Sequence, residues 1–194
     1  MHRLMMGLAR FWAIMGGIVL TALILMVCLS VAGRALNGFL HGGFMTSVAP
    51  GLAKWLLDLG VGPVNGDFEL VEAGVAFAIF AFLPLCQLTG GHAAVDIFAN
   101  QFPRWLDRTL RVLTEVLFAA VLILISERLY DGMLSKMRFG ETTFLIQFPI
   151  WWAYAASFAG SVVTALVAVY VAAVRVVEFV TGREMLPAGE GAEH

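Results

Sequence analysis

Four long apolar stretches, separated by shorter polar ones, set the pattern of this 194-residue chain. The first runs from Phe11 to Ala32 without a charge; the others cover about 70–88, 110–129 and 150–174. Each approaches or exceeds the ~20 residues that a helix needs to cross a bilayer. The pattern therefore predicts an all-α integral membrane protein with four transmembrane helices. Arg3, Arg10 and the small residues Ser30-Val31-Ala32 imitate a secretory signal, but the first run, at about 22 residues, exceeds the roughly 7–15 of a signal core. A retained span is expected. Within it Gly16-Gly17 would allow close helix packing, and Phe11 and Trp12 fall where an aromatic belt would lie. In the second run Pro84 should either kink the helix or lean on a neighbour that satisfies the freed carbonyl. The third run continues as Tyr130, Met133, Leu134 and Met137, an i, i+3, i+4, i+7 stripe. A helix from Leu110 to Met137 would be about 42 Å long, beyond the ~30 Å of hydrocarbon. It should project from the membrane or bend near Gly132.

The connections carry amphipathic patterns of their own. Between Arg34 and Asp67, the residues Leu52, Trp55, Leu56 and Leu59 form one stripe, with Lys54 and Asp58 facing away. Pro50 and Gly60 frame it as a short helix at 50–60. Such a helix suits the membrane surface or contact with a partner subunit. After Gly90-Gly91, Val95, Phe98, Ala99 and Phe102 share a face opposed by Asp96, Asn100 and Arg104, which predicts a second surface helix at 92–107. His92 and Asp96 are spaced i, i+4, as are Asp107 and Arg111. Glu141–Pro149 reads as a loop or a short re-entry, and Pro149 opens the fourth span beside the interfacial aromatics Trp151, Trp152 and Tyr154. Residues 1–182 form a single membrane domain on this reading, and the Gly-, Ala- and Glu-rich 183–194 a disordered tail.

Composition removes most other functions. At 60% hydrophobic and 13% charged residues, with a mean hydropathy of +0.87, the chain cannot cover a soluble surface with polar groups. A net charge of −2 offers no basic patch for nucleic acid. Cys28 and Cys86 lie in apolar runs without paired spacing, so neither a disulfide nor a metal site is expected. None of His2, His41, His92 and His194 is mid-span, where haem ligation would need them. No nucleotide motif and no internal repeat of a complete secondary transporter appears. Glu69 and Glu72 suit the positive end of a helix dipole. Glu115, one turn past Arg111, reads either as half of an interfacial pair or as a functional intramembrane carboxylate. The N-terminus, second connection and C-terminus (Arg3, Arg10, Arg104, Arg108, Arg111, Arg175, Arg183) outweigh the first and third connections (Arg34, Lys54, Arg128, Lys136, Arg138) in basic residues, which favours both termini inside. No catalytic set, cofactor site or metal site emerges.

Two segments carry a resemblance. Gly91, His92, Val95, Asp96, Ile97 and Phe98 make a G-H-x-x-V-D-I-F segment after the second span, followed by Pro103 and a basic run. Glu141, Thr142, Thr143, Pro149, Trp151 and Tyr154 lead into the fourth. In order and spacing these resemble the small membrane subunit of TRAP transporters, the tripartite ATP-independent periplasmic transporters, over about Phe11 to Val180. The resemblance implies a non-catalytic scaffold in the bacterial inner membrane. It would assemble with a large elevator-type subunit that holds the substrate and sodium sites, and a periplasmic binding protein would deliver an organic acid such as a C4-dicarboxylate. His92, Asp96, Arg111, Glu115, Glu141, Trp151 and Tyr154 are the expected contacts with the large subunit. Two rival readings remain at this level: a small membrane enzyme acting on a lipid or thiol through Glu115 and Arg111, and a homo-oligomeric channel or carrier.

Overall fold

The computed structural model describes residues 2–91 and 104–182. It contains α1 (His2–Leu40), α2 (Gly43–Val48), α3 (Pro50–Asp58), α4 (Asp67–Thr89), α5 (Arg104–Phe139) and α6 (Ile150–Thr181). Four of these, α1, α4, α5 and α6, are long and apolar enough to cross a membrane. They correspond to the four apolar runs, but all extend beyond them. Only α4, 23 residues and about 34 Å, matches the hydrocarbon thickness. With 39, 36 and 32 residues, α1, α5 and α6 reach about 58, 54 and 48 Å. The stretch Arg34–Leu40, read from the sequence as connection, is therefore helix. Likewise Arg175, expected to end the fourth span, lies inside α6 and pairs with Glu178 at 2.8 Å.

α3 coincides with the predicted surface helix at 50–60, and α2 precedes it unpredicted. Of the second predicted surface helix, 104–107 belong instead to the start of α5; the remainder, with His92 and Asp96, lies outside the described residues. The tail from 183 also lies outside them. α5 runs unbroken through Gly132, so it takes the projecting alternative. That glycine serves close approach: a Cβ there would lie 2.6 Å from the Tyr154 ring of α6.

The helices pack in the order α1, α4, α6, α5, with α6 the most buried and α1 and α5 at the two flanks. Lipid tails are as apolar as leucine, so such contacts depend on small residues and interhelical hydrogen bonds more than on a hydrophobic drive. α6 shows this in its buried stripe Ser157, Gly160, Ser161, Thr164, Ala165, Ala168 and Ala172. Ala165, Ala168 and Ala172 meet Ala119 and Leu122 of α5, while Val167 and Val171 meet Ala9 of α1 and Leu88 of α4. Of the two neighbouring glycines in α1, Gly16 is the one at a contact. Its absent Cβ would sit 2.8 Å from that of Ala81, whereas Gly17 faces open space.

Pro84 leans on a neighbour. Lacking an N–H, it leaves the Phe80 carbonyl without its helical donor, and the Thr164 hydroxyl reaches that oxygen at 3.0 Å while also lying 2.8 Å from Gly160 O. Thr164→Val keeps the shape and removes the donor. We expect it to cost about 1 kcal/mol, within the range measured for hydrogen bonds between membrane helices, read as a lower midpoint of SDS-induced unfolding. Thr21→Val, which removes only an exposed hydroxyl bonded within its own helix, should leave the midpoint unchanged.

Candidate functional site

The polar side chains gather at the two ends of α4, and the Asp67 end holds the denser set. Gly66, at φ +76° in the left-handed region that glycine tolerates, turns the chain into α4. The first turn then presents two carboxylates in different directions. Asp67 reaches α1: the Ser30 hydroxyl donates to its Oδ2 at 2.5 Å, and Arg34 lies 3.6 Å away. Ser30 Oγ also accepts from the Val64 amide at 3.2 Å, and Asn37 donates to Val61 O at 2.9 Å. The α3–α4 connection is thus tied along the last turns of α1. Their approach is close enough that a Cβ on Gly33 would meet the Gly62 carbonyl oxygen at 2.1 Å.

Glu69 turns the other way. Its two oxygens accept the backbone amides of Leu145 (2.7 Å) and Ile146 (3.1 Å), 76 and 77 residues along the chain. Those amides belong to the segment 140–149, which is a small hairpin. Thr142 bridges Pro149, Thr143 N donates to Phe148 O (2.9 Å) and Ile150 N donates to Glu141 O (3.1 Å). Gln147 has φ +55° at its turn. Lys136 pairs with Glu141 at 2.6 Å and ties the base of the hairpin to α5. Glu69 therefore does more than complement the helix dipole. It anchors a hairpin whose tip residues, Phe144 and Leu145, are 88% and 61% exposed.

Beneath the hairpin lies a cavity of about 320 Å³ between α4, α5 and α6, bordered by Glu69, Glu72, Leu129, Phe148, Tyr154 and Ser157 among others. At the opposite, Thr89 end, buried Gln87 of α4 donates its amide to the Glu115 carboxylate of α5. This bond sets the level of α5 against α4 and leaves the first turns of α5, from Arg104, to extend past the end of α4.

The residues singled out from sequence divide between these ends. Glu141, Trp151 and Tyr154 stand at the Asp67 end. Trp151 is half-buried against the exposed Trp152, with ring centroids 5.6 Å apart, and Tyr154 turns toward Gly132. Arg111 and Glu115 stand at the Thr89 end, about 26 Å along α5 from Gly132 when counted from Glu115 at 1.5 Å per residue. His92 and Asp96 fall outside the described residues. Sequence reasoning missed Ser30, Asp67, Gln87 and Thr164. Each is a polar residue inside or at the edge of an apolar run, the one signal that would have singled them out.

Comparison with protein families matches residues 23–179 to "Tripartite ATP-independent periplasmic transporters, DctQ component". The chain belongs to the DctQ family. Neither the curated proteins nor the solved structures gave a match. As a DctQ component, this protein is a multi-pass membrane part of a TRAP transporter. The matched region contains both polar ends of α4 with all their partners: Ser30, the connection to Asp67, the hairpin held by Glu69, and the Gln87–Glu115 bond.

Proposed function

We propose that this DctQ chain is the non-catalytic scaffold of a sodium-coupled, binding-protein-dependent importer of an organic acid, a C4-dicarboxylate or related carboxylate. On this reading the substrate and sodium sites belong to the large, elevator-type membrane subunit. The chain needs no cofactor and sits in the bacterial inner membrane with both termini cytoplasmic. The Asp67 end and its hairpin would then face the periplasm, where the binding protein arrives. The observation that carries the reading is the architecture itself. Four helices stand in an open row whose ends are cross-tied by hydrogen bonds, while broad apolar faces of the flanking helices stay uncovered, among them Ile14, Ile18 and Leu25 of α1 and Leu113, Leu117 and Leu124 of α5. Cross-tied ends suit a part that holds still, and uncovered apolar faces suit lipid and a membrane partner.

The test is a pull-down of the tagged chain from its own membranes in mild detergent. The expected result is one stoichiometric, much larger polytopic protein, and liposomes that take up carboxylate with sodium only when both chains and the binding protein are present. A homo-oligomer alone, or flux or turnover from this chain by itself, would overturn the proposal.

A further inference from the structure

The cavity beneath the hairpin has a composition that the scaffold reading does not use. Glu69, Glu72, Ala73 and Ala76 line it from one face of α4, and Ile150, Ala153, Tyr154 and Ser157 from one face of α6, each set at helical spacing. Ser157 is 3% exposed, and its hydroxyl has no hydrogen-bond partner among the described residues. The other α6 hydroxyls behave differently: Ser161 donates to Phe158 O and Thr164 to Phe80 O and Gly160 O. A buried hydroxyl left without a partner calls for an occupant that supplies one. Nearer the surface, the Glu72 carboxylate is exposed and has no hydrogen bond or ion pair among the described residues. Among the described residues two carboxylates and no lysine or arginine line the cavity itself, so its interior favours a cation; Lys136, held by Glu141, is near enough to act on Tyr154 at its edge.

We propose that this cavity binds an aminophospholipid by its primary ammonium group. The ammonium carries three N–H donors and no acceptor. Glu72 supplies the charge, and the hydroxyl oxygens of Tyr154 and Ser157 supply two further acceptors. The walls contributed by Leu129, Phe148 and the alanines fit the aliphatic part. The site lies within the first three turns of α4 and of α6, beside Trp151 and Trp152. That is the depth at which interfacial aromatics, and hence headgroups, are found. A trimethylated ammonium presents no N–H and would forfeit these bonds.

The experiment uses the full chain in nanodiscs containing equal parts phosphatidylethanolamine, phosphatidylcholine and phosphatidylglycerol. The protein is extracted into detergent and the retained lipid is identified by native mass spectrometry. Phosphatidylethanolamine should be retained roughly tenfold over either other lipid, the scale of a single charge-assisted bond. Glu72→Gln should bring it down to the level of phosphatidylcholine, and Ser157→Ala should lower it severalfold, with α-helical content unchanged in both. Equal retention of the three lipids, or full retention by Glu72→Gln, would overturn the proposal. So would retention of none, with a photo-crosslinker at Glu72 capturing a co-purified polypeptide, since a protein side chain would then be the occupant. Because the free chain is tested, failure here leaves the scaffold assignment standing.

Discussion

Gly160→Leu should strongly destabilise the helix packing of this protein. A Cβ at that position would lie 2.9 Å from Phe80 Cβ and 3.4 Å from its carbonyl carbon. The obstructing atom is a Cβ, whose place the backbone fixes, so no side-chain rotation relieves it. The leucine must push α6 off α4, and this also breaks the bond from Thr164 to the Phe80 carbonyl that Pro84 leaves unsatisfied. Overpacking costs about 1–3 kcal/mol, and the lost interhelical bond adds about 1. A total of about 2–4 kcal/mol shifts the folded-to-unfolded ratio by a factor of roughly 30 to 900. Gly17→Leu is the matched control, since nothing stands within 4 Å of its added Cβ; it should stay within roughly 0.5 kcal/mol of wild type. SDS-unfolding midpoints of the three proteins provide the comparison. A Gly160→Leu protein with the wild-type midpoint would contradict the packing of α4 on α6 described here.

The neighbouring glycines of α1, Gly16 and Gly17, show how far the sequence could be read. Run length and hydropathy were enough for four spans, and the Leu52-Trp55-Leu56-Leu59 stripe was enough for α3, because both signals are local. Helix ends were less legible. Once α1 leaves the bilayer, residues such as Arg34 and Asn37 are polar whether or not the helix continues, so the apolar pattern stops before the helix does. Neither could sequence separate Gly16 from Gly17, since both are small and only the orientation of α1 against α4 decides which one meets Ala81. The ties at the Asp67 end were hidden for a different reason. Ser30 and Asp67 are 37 residues apart, and Glu69 and Leu145 are 76 apart. No periodicity links such positions; the fold brings them together. The small-residue stripe from Ser157 to Ala172 went unread, because its apolar neighbours mask it in a hydropathy reading.

Glu69→Ala should release the hairpin while leaving the helices intact. Its carboxylate is the anchor for two consecutive amides, Leu145 at 2.7 Å and Ile146 at 3.1 Å, and charge-assisted bonds of this kind are stronger than neutral ones. The hairpin keeps its internal bonds, Thr143 to Phe148 and Ile150 to Glu141, and the Lys136–Glu141 pair still holds its base. What it loses is its docking onto α4, where Ile146 lies against Gly66 so closely that a Cβ there would meet it at 2.3 Å. Hydrogen exchange should therefore report a local opening, with the Leu145 and Ile146 amides exchanging roughly tenfold faster or more, and α4 and α6 unchanged. Glu69→Gln, which retains an acceptor without the charge, should fall between. The exposed Phe144 and Leu145 would no longer be held at a fixed position. If this end of the chain meets another component of the transporter, Glu69→Ala should weaken that contact in step with the faster exchange. A 140–149 peptide that exchanges at the wild-type rate in Glu69→Ala would show that the hairpin is held by its own turn and that the carboxylate is incidental. Loss of α4 protection as well would mean that Glu69 supports the helix itself more than the hairpin.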